Sequence, residues 1–269
     1  MPEGDILVRV ARRLDAALVG QILVRGQLRW PTLGGTDLAG AVVVGNLTHG
    51  KHLLTRLADG RTLHTHLRMD GSWRVVRSAD LAPGGPSRAD RSPWVRAVLA
   101  TPRWTCLGLR LGMMELVPTR DEPRLLAHLG PDVLAPDLDL AQAGARLRAE
   151  GTRPVGEVLL DQTVLAGLGT IYMAESLWAA RVWPWTPAQD VPDAEGLVRR
   201  ARQLMQRSID ASSPTATGDR RRTTAVHQRD RRPCPRCGTV VARATIGRPS
   251  VDRPVYWCPD CQRRPAAGT

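Results

Sequence analysis

The spacing of apolar positions changes character twice along the chain. Ile6, Leu7, Val10, Leu14, Ala17 and Leu18 recur every three or four residues, which predicts an amphipathic helix near the start. From residue 20 to 117 the apolar runs become short, as at 41–44, 53–57, 73–76 and 95–99, and Gly, Asp, Pro and Asn part them. They read as strands of a β-sandwich, with a turn at Ala58-Asp59-Gly60 and a longer loop at Pro83-Gly84-Gly85-Pro86. Residues 118–124 are polar and bounded by prolines, and read as a hinge. From Leu125 the helical period returns. A short helix stops at Gly130-Pro131, and others are expected over 138–148, 154–161, 171–180 and 197–209. The turn Ala166-Gly167-Leu168-Gly169-Thr170 between two of them leaves backbone N–H groups at a helix start, where a phosphate can sit. Helix, glycine turn, helix is a layout that DNA-binding proteins use, and it is also a common helical hairpin.

Composition adds a partner class. A chain of 269 residues can bury a large core in one or two domains. Lys and Arg number 38 against 26 Asp and Glu, a formal charge of +12. Such an excess points to a polyanion, most often nucleic acid. All of these cations are arginine except Lys51, and phenylalanine is absent. In so arginine-biased a chain the one lysine is either a chance survivor or an amine that guanidinium cannot replace. No apolar run approaches the roughly 18 residues of a membrane span, and no targeting segment is evident. A cytoplasmic setting is expected.

The five cysteines support it. Cys234-Pro-Arg-Cys237, twenty residues, then Cys258-Pro-Asp-Cys261 is the spacing of two knuckles that clamp one tetrahedral zinc. All four positions are filled by thiolates, so the predicted role is structural, with a hairpin between Val240 and Tyr256. Cys106 lies among apolar residues and reads as a core thiol.

The candidate chemistry begins at Met1-Pro2-Glu3-Gly4-Asp5. Removal of Met1 would leave Pro2 with a free secondary amine, a nucleophile that can form an iminium at an aldehyde-level carbon. Glu3 supplies an adjacent carboxyl, and Asp5 suits the positive end of the helix that follows. Taken alone, these residues also describe an ordinary terminus before a helix. His64 and His66 share a strand face, as a metal pair or as ordinary strand histidines. Met69 before a turn is either core or an apolar wedge that enters a base stack. Residues 212–232, with Arg220-Arg221-Arg222 and Arg231-Arg232, read as a mobile loop of low core potential, either a solvated linker or a phosphate contact.

Together these pieces resemble the formamidopyrimidine-DNA glycosylase and endonuclease VIII family of base-excision repair enzymes, most closely the second endonuclease VIII type of actinobacteria. The resemblance runs nearly the whole length. It rests on Pro2-Glu3-Gly4, Gly50-Lys51, the stretch from Leu67-Arg68-Met69 to Trp73-Arg74, Gly130-Pro131-Asp132, Leu160-Asp161-Gln162, Leu165-Ala166-Gly167-Leu168-Gly169 and Arg253-Pro254-Val255-Tyr256-Trp257-Cys258-Pro259. It implies an α+β multidomain chain. A β-sandwich with a leading helix would span 1–118, a helix–two-turn–helix domain 125–215, and a zinc-finger hairpin 230–264. It implies a bifunctional glycosylase and abasic-site lyase that acts on oxidised bases, pyrimidines foremost, in DNA bound between domains. Pro2 would attack C1′ of a flipped nucleotide, Glu3 would act as acid, and Lys51 would hold phosphate and assist proton transfer. Arg253 would hold phosphates around the lesion, Met69 would fill the void, and Arg68 and His66 would touch DNA. The family usually carries Asn where this chain has Thr170, and often Arg where it has His128. One structural zinc, a monomer and damaged DNA as partner follow from the resemblance. The competing reading is a non-catalytic, zinc-stabilised module that binds damaged DNA, which Thr170 slightly favours and the free amine does not. A transcription factor fits worse, because no dimerisation helix is evident.

Overall fold

The computed structural model describes residues 2–81, 88–247 and 252–264, so the loop expected at 83–86 lies outside the described residues. The chain forms two compact units. One holds Pro2 and residues 6–127, the other Glu3–Asp5 and the chain from His128 onward.

The first unit is built on α1 (Gly4–Leu18), whose Leu7, Leu14 and Leu18 are fully buried, as the three-and-four spacing requires. Eight strands follow. They are β1 (Arg25–Leu28), β2 (Val43–His49), β3 (His52–Leu57), β4 (Arg61–His66), β5 (Ser72–Arg77), β6 (Val95–Ala100), β7 (Trp104–Leu109) and β8 (Met113–Pro118). They make two antiparallel sheets, in the orders β1-β6-β7-β5 and β2-β3-β4-β8. One core joins Leu14 of α1, Leu53 and Leu63 of one sheet, and Leu99 and Cys106 of the other. Burial pushes the Cys106 thiol up to about 12, so it is an inert core group. A short helix, α2 (Ser78–Leu81), leaves β5.

The polar stretch 118–124 is not a bare hinge. It continues from β8 through a 3-10 turn (Thr119–Asp121) into α3 (Glu122–Leu126), where Glu122 is buried and pairs with Arg56 and Thr62. Polar residues can hide an anchored carboxylate when its partner lies 66 positions earlier in sequence, as Arg56 does here.

The second unit comprises α4 (Leu140–Ala149), α5 (Val155–Leu160), α6 (Thr170–Ala180), α7 (Ala194–Asp210) and a hairpin of β9 (Ala242–Ile246) with β10 (Arg253–Trp257). Helix α6 is its centre: Tyr172, Met173, Ala174 and Leu177 are all buried. Helix α7 presents Leu197, Val198, Ala201 and Met205 to the same core, and Asp193 caps its start by accepting from Gly196 N at 2.7 Å.

Residues 212–232 depart from the expectation of low core potential. Thr215, Ala216, Ala225 and Val226 are buried. The cause is Glu175 of α6, a buried carboxylate that accepts from the backbone N–H groups of Ala225 (2.8 Å), Val226 (2.9 Å) and His227 (2.9 Å). Burial pushes this carboxyl up, and the three amide donors pull the other way. An arginine-rich composition gives no hint of a single acid 50 residues upstream that fastens the segment.

Candidate active site and metal centre

Of the candidate catalytic residues, residue three is anchored by the far end of the sequence. Glu3 is 1% exposed, and its carboxylate lies at the N-terminal end of α6. It accepts from the backbone N–H of Gly169 (2.7 Å), Ile171 (2.8 Å) and Tyr172 (3.4 Å). These are amides a helix start leaves without intrahelical partners, and Gly169 has no side chain with which to cap them. An acid from the other end of the sequence does so instead. Gly4 N donates to Gly167 O at 3.0 Å, so the backbone beside Pro2 is held to the same turn.

The turn is braced in its own right. Gln162 donates from Nε2 to Leu168 O (2.9 Å) and accepts at Oε1 from Gly167 N (3.0 Å). Asp5 accepts from the Tyr172 and Ser208 hydroxyls, each at 2.7 Å, and burial beside Asp5 pushes the Tyr172 phenol up. The sequence carries no local pattern that assigns Gln162, Tyr172 or Ser208 to these roles. The Gly-x-Gly turn signalled the site, but no pattern paired it with Glu3 and Asp5.

In the first unit, Lys51 sits in the two-residue turn between β2 and β3, where Gly50 takes φ +57° and His49 pairs with His52. Glycine suits that position because it meets no Cβ penalty there. His66 ends β4 and accepts at Nδ1 from Arg68 N (2.8 Å). Burial, and then the charges of Arg68 and Lys51, push its pKa down to about 4. It is therefore neutral at physiological pH and, with Nδ1 accepting, offers Nε2–H as a donor. His64 and His66 each meet His52 of the neighbouring strand. His52 stacks on His64, with His52 Nδ1 at 2.8 Å from His64 Nε2, and meets His66 edge-on. Arg68 and Met69 form the turn after β4, and Met69 stands 63% exposed, so it is not core.

Thr170 opens α6, with Oγ1 at 3.4 Å from His227 Nε2, and burial pushes His227 down to about 4. The proximity of His227 was not legible in the sequence. Arg253 opens β10 opposite Ile246, exposed, and its NH1 donates to Asp252 O at 3.0 Å.

Cys234, Cys237, Cys258 and Cys261 gather with their Sγ atoms all within 4.8 Å. Measured pairs are 3.4 Å (Cys237–Cys258), 3.4 Å (Cys237–Cys261) and 3.9 Å (Cys234–Cys261). Zn–S bonds of about 2.3 Å at tetrahedral angles place sulfurs roughly 3.8 Å apart, so the donor set fits a metal ion. Trp178 Nε1 donates to Cys234 Sγ (3.4 Å) and Cys261 N to Cys258 Sγ (3.4 Å), as outer-shell donors to thiolates do. Among the described residues this is the one group of three or more His, Cys, Asp or Glu spaced for a metal.

Two family models match: the formamidopyrimidine-DNA glycosylase N-terminal domain over residues 1–113, and the formamidopyrimidine-DNA glycosylase H2TH domain over 129–218. A Streptomyces coelicolor protein named probable endonuclease 8 2 is 42% identical over 99% of this chain and 95% of its own length. A Mycolicibacterium smegmatis protein named DNA-(apurinic or apyrimidinic site) lyase Nei2 is 37% identical over 97% of this chain and 99% of its own. Among solved structures, Lactococcus lactis Fpg (MutM), in complex with a DNA containing an oxidised pyrimidine, superposes with a TM-score of 0.81 at 25% identity. That match covers 98% of this chain and 100% of that one. Two family domains in order, and relatives this similar from end to end, show that the chain belongs to the formamidopyrimidine-DNA glycosylase and endonuclease VIII family.

Proposed function

We propose that the protein is a DNA glycosylase and abasic-site lyase of base-excision repair, taking oxidised bases, pyrimidines foremost. The observation that carries this reading is Glu3, a carboxylate fixed at the start of α6 beside an N-terminal proline. With Met1 removed, the Pro2 nitrogen attacks C1′ of an extruded nucleotide. The N–C1′ bond forms as the glycosidic bond breaks, and the base leaves with a proton. Extrusion is needed because C1′ is shielded within the stack. Opening of the sugar at O4′ takes up a proton and leaves a C1′ iminium. Glu3, held by three amides, passes protons to the ring oxygen or the leaving group. The iminium acidifies the C2′ proton, its loss expels the 3′ phosphate, and the strand is cut by β-elimination. A second, δ-elimination on the 5′ side follows where Arg253 orients the phosphate.

Lys51 supplies a point charge and proton transfer in this scheme. His66, as a neutral Nε2–H donor, and Thr170 contact phosphate, while Met69 enters the stack with Arg68 beside it. The four cysteines hold zinc, which keeps the hairpin carrying Arg253 folded. The division into a catalytic sandwich (1–118), a DNA-binding helical domain (125–215) and a zinc finger (230–264) belongs to the same reading. So do damaged DNA as partner, a monomeric state and a cytoplasmic location. Among the described residues no helix is long and apolar enough to cross a membrane.

Borohydride reduction of the protein mixed with abasic DNA tests the proposal. Wild type becomes covalently attached through Pro2, and intact mass shows Met1 removed. Pro2→Thr gives no adduct. Normal trapping by that variant refutes the scheme, and binding without trapping by wild type favours the non-catalytic module.

A further inference from the structure

Four of the six histidines, His49, His52, His64 and His66, gather at one end of the sheet that holds β2, β3 and β4. The scheme above uses His66 alone. His64 is only 2% exposed, a costly place for an imidazole with no task. Its Nε2 lies 2.8 Å from His52 Nδ1. A contact so short needs one N–H facing one lone pair, because two N–H groups or two lone pairs would repel. The other nitrogen of His64 decides which is which. Glu115 of β8, opposite His64 in register, brings Oε2 to 3.5 Å from His64 Nδ1. A carboxylate there favours N–H at Nδ1, as it does beside the histidine of a catalytic triad. His64 Nε2 is then the acceptor, His52 Nδ1 the donor, and His52 Nε2 carries the lone pair of the neutral ring. Glu115, His64 and His52 thus make an ordered chain, from a half-exposed carboxylate to a basic nitrogen on the residue after Lys51. His66 meets His52 edge-on but is already committed: its Nδ1 accepts from Arg68 N, and burial, Arg68 and Lys51 hold its pKa at about 4.

We propose that His52 and His64 are positioning residues that together form a one-proton sink for the elimination step, with Glu115 as their counter-charge. The inference rests on the lyase reading. As the C2′–H bond of the iminium breaks, its electron pair becomes the C1′–C2′ double bond of an enamine, and the proton passes by one water to His52 Nε2. His52 Nδ1–H is then shared with His64 Nε2, so the charge spreads over an imidazole–imidazolium pair that faces Glu115. The enamine expels the 3′ phosphate, and the pair returns its proton to bulk water. The pair takes one proton and not two, because two adjoining imidazolium rings would repel. The titratable and charged groups that face it are His49 across the turn, Lys51, His66 and Arg68, then Glu115 of β8 and Glu122 of α3. Glu122 is already paired with Arg56, which leaves Glu115 as the counter-ion.

The test is single-turnover cutting of an abasic oligonucleotide by the full chain from about pH 5.5 to 9, with borohydride trapping alongside. Trapping reads iminium formation, before the C2′ proton leaves, and cutting reads elimination. The Pro2 amine titrates in both, so the ratio of cutting to trapping isolates the later step. In wild type that ratio falls in acid, as the pair fills with its proton. His52→Gln and His64→Gln keep trapping within about twofold, slow cutting about 100-fold near neutral pH, the lower end for a proton-transfer group, and lose the acid limb. Free imidazole brings His52→Ala back toward wild type. Glu115→Gln, at a half-exposed side chain, moves the limb to lower pH, because loss of the anion disfavours the protonated pair. Cutting by both Gln variants within about twofold of wild type overturns the proposal. So does trapping lost in step with cutting, or an unmoved limb in Glu115→Gln. Wild type that forms no adduct removes the lyase reading and this inference with it. Wild type that forms one while the histidine variants cut normally removes this inference alone.

Discussion

Replacing Gly169 with alanine would separate the position of Glu3 from its chemistry. Gly169 has φ −136° and ψ −160°, extended backbone that alanine adopts freely, so no conformational penalty enters. A Cβ there would lie 2.6 Å from Glu3 Cδ and 2.7 Å from Oε1. Carbon contacts relax to about 3.5–4.0 Å, so the carboxylate must withdraw by roughly 1 Å. That movement weakens the bonds to Gly169 and Ile171, at 2.7 and 2.8 Å the shortest of the three that hold it. At about 0.5–1.5 kcal/mol each, the loss of stability is about 1–3 kcal/mol. Displacement by that distance costs about 100-fold in a catalytic step. The assay is single-turnover nicking of an abasic oligonucleotide, with urea unfolding alongside. Gly45→Ala is the control, because a Cβ at Gly45 meets nothing within 4 Å, and it should leave both measurements near wild type. If Gly169→Ala nicked within about twofold of wild type, Glu3 would not need its seat at α6 and the argument would be wrong.

Three further outcomes follow from the same structure. Glu175→Ala strands three buried amides of the 225–227 segment and should cost about 3–5 kcal/mol in denaturant unfolding, with faster protease cleavage between 212 and 232. Burial pushes the Glu122 carboxyl up, but hydrogen bonds from Arg56 and Thr62 outweigh it and hold its pKa below the ordinary value of 4.5. Its stabilisation is therefore present above the unfolded carboxyl's pKa and is lost as pH falls through the folded one. Glu122→Gln should lose about 1–3 kcal/mol at neutral pH and converge on wild type in acid, as thermal melts across pH 7 to 3 would record. Removal of metal by a strong chelator should release about one zinc per chain by elemental analysis and abolish hydrogen-exchange protection in β9 and β10, with no effect on the β2–β4 amides.

Much of the architecture could be read from periodicity. The leading helix, the strand-rich first half, the helices around the glycine turn and the cysteine-flanked hairpin each depend on local spacing, and local spacing is visible. Long-range partners were not visible. Nothing around Glu3 announces that residues 169–172 complete its coordination, and nothing around Glu175 announces the 225–227 segment. The stretches 118–124 and 212–232 looked solvated because charged residues usually are, yet the first hides Glu122, satisfied by distant Arg56, and the second supplies three amides to distant Glu175. Met69 was ambiguous because an apolar residue before a turn packs inward or protrudes with the same local pattern. Its exposure follows from the Leu67–Gly71 turn, in which Gly71 N donates to Leu67 O at 2.9 Å.

The bond between Glu3 and Gly169 spans 166 positions, and that span bears on biosynthesis. A ribosome releases Glu3 among the first residues, long before the amides that seat it have been translated. At about 5–20 residues per second, the interval is on the order of 10–30 seconds. Throughout it the acid is unseated, so on the proposed scheme a growing or prematurely terminated polypeptide would carry its amine with no organised proton donor. Competence to cut DNA is thereby deferred until the later half of the protein has folded.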